Sequence, residues 1–270
     1  MKRRRGRPVV LIILLVIAAS LFFGQVLGSF YLGNISRGSA GENGLEGITP
    51  SWREGTKKKK VLRLNQFDYY SVQAGAFSSR ETALLLGNSL ARKGLPAVIA
   101  GQSPCRVLVG FLNNREKLLG LAESITVDGS KAAVVQGQVN SVSFKFTAGD
   151  KEAEEDIAPF LGRLSTCLHK GLLLYSNVDI EGENMKEHRP RFGLLARELE
   201  ELGRKGRSIA GENKQSAYSA GVLILAGRCE NWAASLLKLE ETWQGTQMLI
   251  SQQQALALLE DYHSFMAESN

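Results

Sequence analysis

Side chains able to do acid–base, nucleophilic or metal chemistry are few in this chain and poorly spaced for it. His169, His188 and His263 lie far apart, with no HExxH pair. The three cysteines form no CxxC, so neither a disulfide framework nor a zinc knuckle is encoded. Cys167 and Cys229 fall on apolar helical stripes, which leaves a bridge between them open, and Cys105 falls on a strand. Glu152, Glu154, Glu155 and Asp156 crowd what reads as the first turn of a helix, where the macrodipole favours acids. No enzyme activity, metal or cofactor is expected. A different chemistry is written into three short alternating strands: Tyr69, Ser71 and Gln73 on one, Arg106 and Leu108 on another, Gln136 and Gln138 on a third. A row of hydroxyls, amides and a guanidinium, with a ring beside them, suits an extended polar polymer.

The elements that would position these residues come from an internal repeat at an offset of 35: Val72/Val107, Gly75/Gly110, Arg80/Arg115, Glu81/Glu116, Leu84/Leu119 and Leu86/Leu121. Each copy runs from an alternating strand into a glycine, a capping box (Ser78-x-x-Glu81, Asn113-x-x-Glu116) and a segment of helical spacing. A second strand follows each helix, at 96–100 and at 132–138. The order βαββαβ predicts an α+β domain: a four-stranded antiparallel sheet with both helices on one face. Tyr70, Val72, Ala74 and Ala76, with Val107 and Val109, are expected to meet the helices. Tyr69, Ser71, Gln73, Gly75, Arg106, Leu108, Gln136 and Gln138 are then expected on an uncovered face.

The formal charge of +6 sits at two places, Lys2, Arg3, Arg4, Arg5 and Arg7 and then the run 57–60; the remainder is slightly acidic. That is no domain-wide footprint for nucleic acid. Residues 9–32 (VVLIILLVIAASLFFGQVLGSFYL) carry no charge, and 24 helical residues cover about 36 Å, enough for a bilayer core. The basic tip 1–8 predicts a cytoplasmic amino end and an extracytoplasmic carboxyl end. A cleavable signal peptide is the competing reading, although its apolar core is ordinarily shorter. Residues 33–66, rich in glycine and polar side chains, read as a flexible linker. Its lysine run reads as a solvated segment, with contact to lipid headgroups or anionic wall polymers as the other reading.

Tyr70-Ser-Val-Gln-Ala-Gly-Ala-Phe77, a helix rich in Ala and Leu, a Gly-x-Pro turn and Arg106-Val-Leu-Val-Gly110 together resemble the SPOR (sporulation-related repeat) domain. The resemblance covers about residues 68–142. It implies a ferredoxin-like split βαβ fold that binds peptidoglycan glycan strands, above all strands stripped of stem peptides where the wall is remodelled in division or sporulation. It supports Gln73 with its neighbours, and Arg106, as glycan contacts. Leu108 stands where the family is often polar or basic, and Phe111 replaces a proline. RNA-recognition modules share the topology, but the segment 105–112 lacks their aromatic pattern.

After residue 148 the chain reads as helix. Ile157, Leu161, Leu164, Leu168 and Leu172 form one stripe, and Phe192, Leu195, Leu199 and Leu202 another. Tyr218, Val222, Leu225, Cys229, Trp232, Leu236, Leu239 and Trp243 step as a heptad seam. Leu249, Leu256, Leu259, Tyr262 and Met266 serve a closing helix, and Gly203, Gly206 and Gly211 are expected to break the second helix from the third. The product is an all-α hairpin or bundle, closed on itself or completed by an envelope protein. Wall amidases sometimes carry the same module, yet a zinc site would need an α/β setting that this half does not offer. The expected plan is a tip (1–8), a transmembrane helix (9–32), a linker (33–66), a SPOR-like domain (67–148) and a helical domain (149–270). It describes a single-pass, septally placed cell-membrane protein that contacts the bilayer and peptidoglycan glycan strands, not nucleic acid. The alternative is a tethered scaffold acting through its helical half.

Overall fold

The computed structural model describes residues 59–63, 66–139, 143–147, 149–178, 185–212 and 216–268. The tip, the apolar segment 9–32 and most of the expected linker lie outside these residues. Among the described residues no helix is long and apolar enough to cross a membrane.

The repeat folds as its spacing predicts. Strands β2 (Phe67–Phe77), β3 (Val98–Ala100), β4 (Cys105–Leu112) and β7 (Ala133–Val139) form one antiparallel sheet in the order β3-β4-β2-β7. Helices α1 (Arg80–Arg92) and α2 (Glu116–Ser124) lie against the sheet. Gly87 on α1 meets Ile99 closely, so the helix approaches the sheet where it lacks a side chain. The capping boxes do not form as expected. Ser79 stands at the first N-cap without a side-chain bond, and at the second helix Asn114, not Asn113, accepts from the amides of Glu116 (2.9 Å) and Lys117 (3.3 Å). A two-strand ribbon, β5 (Thr126–Val127) and β6 (Ser130–Lys131), links α2 to β7.

Two departures from the expected plan lie at its edges. Residues Lys59–Arg63, read as linker, form β1 and pair antiparallel with β8 (Ser143–Thr147). Lys60 Nζ, from the basic run, sits 2.7 Å from the Glu154 carboxylate. The strand β8 thus stands apart from the four-stranded sheet, in a separate ribbon whose Phe144 and Phe146 face the core.

The helical half comprises α3 (Ala158–Asn177), entered through a π-helical turn at Ala153–Ile157, then α4 (Met185–Glu212), α5 (Ser219–Glu241) and α6 (Gly245–Glu268). At the entry Asp150 Oδ1 accepts from Ala153 N (3.1 Å) and Glu154 Oε1 from Gly149 N (2.9 Å), so these acids cap the chain end. The apolar stripes pack against one another: Val222, Leu225, Cys229, Trp232, Leu236 and Leu239 of the heptad seam are all buried. Gly203 and Gly206 do not break a helix. They lie inside α4, where a side chain would collide with Glu230, Ala226 and Phe160, so they let α4 and α5 close up. Trp232 Nε1 donates to Tyr175 Oη (2.7 Å), which shares a hydrogen bond with Ser251 (2.6 Å), tying α5, α3 and α6 through a satisfied buried network. Cys167 and Cys229 are buried free thiols.

These helices do not close on themselves alone. One continuous apolar core runs from the sheet through the ribbon into the bundle, because α6 lies against β4 and β3 and α3 lies against β4.

Candidate functional site

The sheet has two faces, and its register assigns residues to them. Cross-strand partners point the same way. Val72 pairs with Val109, and Gly75 with Val107; a side chain at Gly75 would strike Leu86 of α1, so this row faces α1 and α2. Tyr69, Ser71 and Gln73 point to the other face, where Gln73 pairs with Leu108 and Ala76 with Arg106. Two irregularities alter simple alternation. The pairing slips between Gln73 and Gly75, which swaps the expected sides of Gly75 and Ala76. It slips again between Tyr70 and Val72, opposite Gly110, whose φ of +78° suits a glycine bulge.

Gln136 and Gln138 pair with Tyr70 and Asp68, whereas Gly137 pairs with Tyr69. Both glutamines are exposed, but on the α1/α2 side of the edge strand. The expectation that they join Tyr69, Ser71 and Gln73 is one residue out of register, and a shift of one residue reverses every side chain.

The face of Tyr69 and Ser71 is covered. Tyr69 is 6% exposed, Ser71 0% and Leu108 6%, so these three do not lie on an open platform. The cover is the chain's own helical half. Gln252 Oε1 on α6 accepts from Phe111 N (3.1 Å), and Gln253 Nε2 donates to Ala97 O (3.1 Å). From α3, the His169 ring stacks on Phe67 at 5.2 Å, and Ser176 Oγ accepts from Asn113 N (2.8 Å). Beneath this roof Ser71 Oγ donates to Gly110 O (2.7 Å), Tyr69 packs on Phe111 at 5.2 Å, and the Tyr69 ring lies across Gly137. Burial pushes the Tyr69 phenol up to about 12, with Glu260 adding to the rise and Arg106 opposing it.

The roof is not a loose lid. Phe67, Tyr69, Leu108 and Phe111 are all buried, and fully burying four such side chains contributes roughly 6–12 kcal/mol as an upper figure. Lifting the roof would return apolar surface of these side chains to water, so the covered part of the face stays covered.

What remains of the face is a strip at one end. Arg106 is exposed and Gln73 half-buried, with Ala76 beside Arg106 and Ala133 beside Gln73, both exposed. Glu260 of α6, which sequence reasoning missed, borders this strip. Its carboxylate accepts a hydrogen bond from the Gly101 amide and feels the charge of Arg106. The pairing explains the proximity, because Ala100, next to Gly101, is the partner of Arg106. Burial, then the neighbouring Asp261, raises the pKa of Glu260, while the Gly101 bond and Arg106 lower it.

Residues 67–136 match the SPOR domain. The SPOR domain is a peptidoglycan-binding domain associated with cell division, and this one supplies the whole four-stranded sheet but for the end of β7. No curated protein and no solved structure matches the chain.

Elsewhere the described residues offer little chemistry. A cleft of about 760 Å³ beside β1 is lined by Leu62, Arg163, Cys167, Lys170 and Glu198 among others. Its charges are internally paired, Lys170 with Glu198 at 2.7 Å and Arg163 with Glu201 at 3.2 Å. Burial pushes the Cys167 thiol up to about 11, so at neutral pH it is not a nucleophile. Among the described residues no three His, Cys, Asp or Glu side chains gather as a metal site.

Proposed function

We propose that this chain is a membrane-tethered peptidoglycan-binding protein of the cell envelope. Its SPOR domain engages glycan strands, preferentially strands stripped of stem peptides, where the wall is remodelled during division or sporulation. The observation that carries the reading is that Gln73 and Arg106, the two residues the SPOR resemblance supports most directly, keep access to solvent while the face around them is roofed. A glycan chain would lie along the strip they define, with its hydroxyl and acetamido groups meeting the amide and guanidinium. The role is binding, not catalysis.

The tether rests on the apolar segment 9–32 behind its basic tip, which would hold the amino end in the cytoplasm and the domain outside, at the septum. A scaffold acting through the helical half is the weaker reading. The seams that would have recruited a partner, Val222 to Leu239 and Leu256 to Met266, are buried against the chain's own helices and sheet.

Co-sedimentation of the detergent-solubilised full chain with purified sacculi, before and after amidase stripping, tests this. Pelleting that rises on stripping is the expected result. Gln73→Ala and Arg106→Ala should each lower the affinity by roughly three- to ten-fold, the size of one hydrogen bond to a sugar. A chain that pellets with neither preparation rules the reading out.

A further inference from the structure

The basic run 57–60 is not absorbed by the glycan strip. Its last two residues, Lys59 and Lys60, belong to β1, and the ribbon that β1 makes with β8 has two unlike faces. One row pairs Lys60 with Phe146 and Leu62 with Phe144. Both phenylalanines are buried, Leu62 is half-buried, and Lys60 Nζ is paired with the Glu154 carboxylate at 2.7 Å. The other row pairs Val61 with Lys145, flanked by the register pairs Lys59–Thr147 and Arg63–Ser143. Cross-strand partners share a face, and here Val61 is 51% exposed and Lys145 is exposed beside it. This outward row therefore holds positions for three cations around one exposed valine, and for no acid. A cationic strand pair with an apolar centre suits a surface that offers anionic groups above an apolar layer.

We propose that the outward face of the β1–β8 ribbon docks on the anionic headgroups of the bilayer to which the chain is tethered, with Val61 at the boundary of headgroups and acyl chains. The proposal rests on the tether reading of residues 9–32. Only residues 33–58 separate that segment from β1, and an unconstrained chain of that length has a root-mean-square span of about 25–30 Å. The bilayer is then presented to the ribbon at an effective concentration on the order of millimolar, where the attraction of a few cations suffices. Each cation close to an anionic surface raises occupancy about five-fold, and salt screens the gain. An anionic wall polymer offers the same charge but no apolar layer, so it would leave Val61 in water. The ribbon thus sets whether the SPOR domain works close to the bilayer or at the full reach of its tether.

The test is hydrogen exchange of the full chain reconstituted in nanodiscs of phosphatidylcholine, with or without phosphatidylglycerol. Amides of residues 59–63 and 143–147 should exchange roughly five-fold more slowly in the anionic discs, and the difference should vanish at high salt. The double variant Lys59→Glu with Lys145→Glu should abolish it. Val61→Ser should weaken it at unchanged net charge, whereas Lys60→Gln, in the other row, should keep it. Wild-type exchange rates in β2 and β4 confirm that each variant is folded. Equal exchange in the two discs overturns the proposal and leaves the tether reading standing, as does protection that survives the double charge reversal. Equal protection in neutral discs on adding soluble polyglycerol phosphate assigns the face to a wall polymer and also overturns docking on lipid. A chain that does not float with phosphatidylcholine vesicles overturns the tether reading, and the docking proposal with it.

Discussion

Tyr69 shows how a side chain suited to sugar stacking became structural. Its ring lies across Gly137, where an added Cβ would stand 2.2 Å from a ring carbon. Gly137→Ala must displace the ring, and overpacking of this kind should destabilise the protein by about 1–3 kcal/mol, read as a lower urea midpoint at constant slope. The phenol also has a pH signature. Its folded pKa, about 12, lies above the ordinary tyrosine value of about 10. The neutral phenol is thus favoured in the fold, and its contribution is complete below pH 10 and is lost as pH climbs through about 12. The difference between the ultraviolet titrations of the wild-type chain and Tyr69→Phe should show a tyrosinate step delayed to that range; a difference step near pH 10 would place the ring in water. The alternation of the first strand was legible in sequence, but whether its polar row met solvent was not, because strand periodicity says which residues share a face and nothing about what lies over it.

At the scale of elements, α6 does two jobs for β4. It buries the apolar row, and through Gln252 it satisfies the Phe111 amide beside the bulge at Gly110. Gln252→Ala would orphan a buried N–H and should cost about 1–3 kcal/mol, whereas Gln252→Glu keeps an acceptor and should cost less. Chemical denaturation of the pair tests this, and equal losses would show that the hydrogen bond is not the cause. In α5 the heptad seam holds the bundle. Leu225→Ala removes a side chain 1% exposed and should cost about 2–5 kcal/mol by the same measurement. That seam was legible because helical stripes repeat over many residues. The bulges were not, since one inserted residue leaves no periodic trace. Nor was the continuity of α4 through Gly203 and Gly206, where close helix packing favours glycine inside the helix.

For the whole molecule, the continuous core makes the sheet and bundle one unit spanning residues 56–270. Near-ultraviolet circular dichroism and Trp232 fluorescence should therefore report one shared unfolding transition, and two separated midpoints would contradict the single core. A fragment ending at residue 148 would expose Tyr69, Leu108 and Phe111. It should bind a hydrophobic dye and aggregate, so light scattering of that fragment checks the roof directly. A stable, monomeric, dye-free fragment would mean that the helical half is dispensable to the sheet.

By itself the sequence determined what is local and periodic: two strand–helix units in βαββαβ order, their SPOR resemblance, four amphipathic helices, and an uncharged segment at 9–32 of membrane-spanning length. Such features follow from side-chain spacing, which folding preserves. Only the tertiary structure decided that α3 and α6 settle on the sheet, that Gln136 and Gln138 face the opposite way from Tyr69, and that Glu260 reaches the surroundings of Arg106. Those are contacts between residues far apart in the chain, 63 positions for Asn113 and Ser176 and 156 for Ala97 and Gln253, fixed by how large apolar surfaces find one another. No local pattern records them.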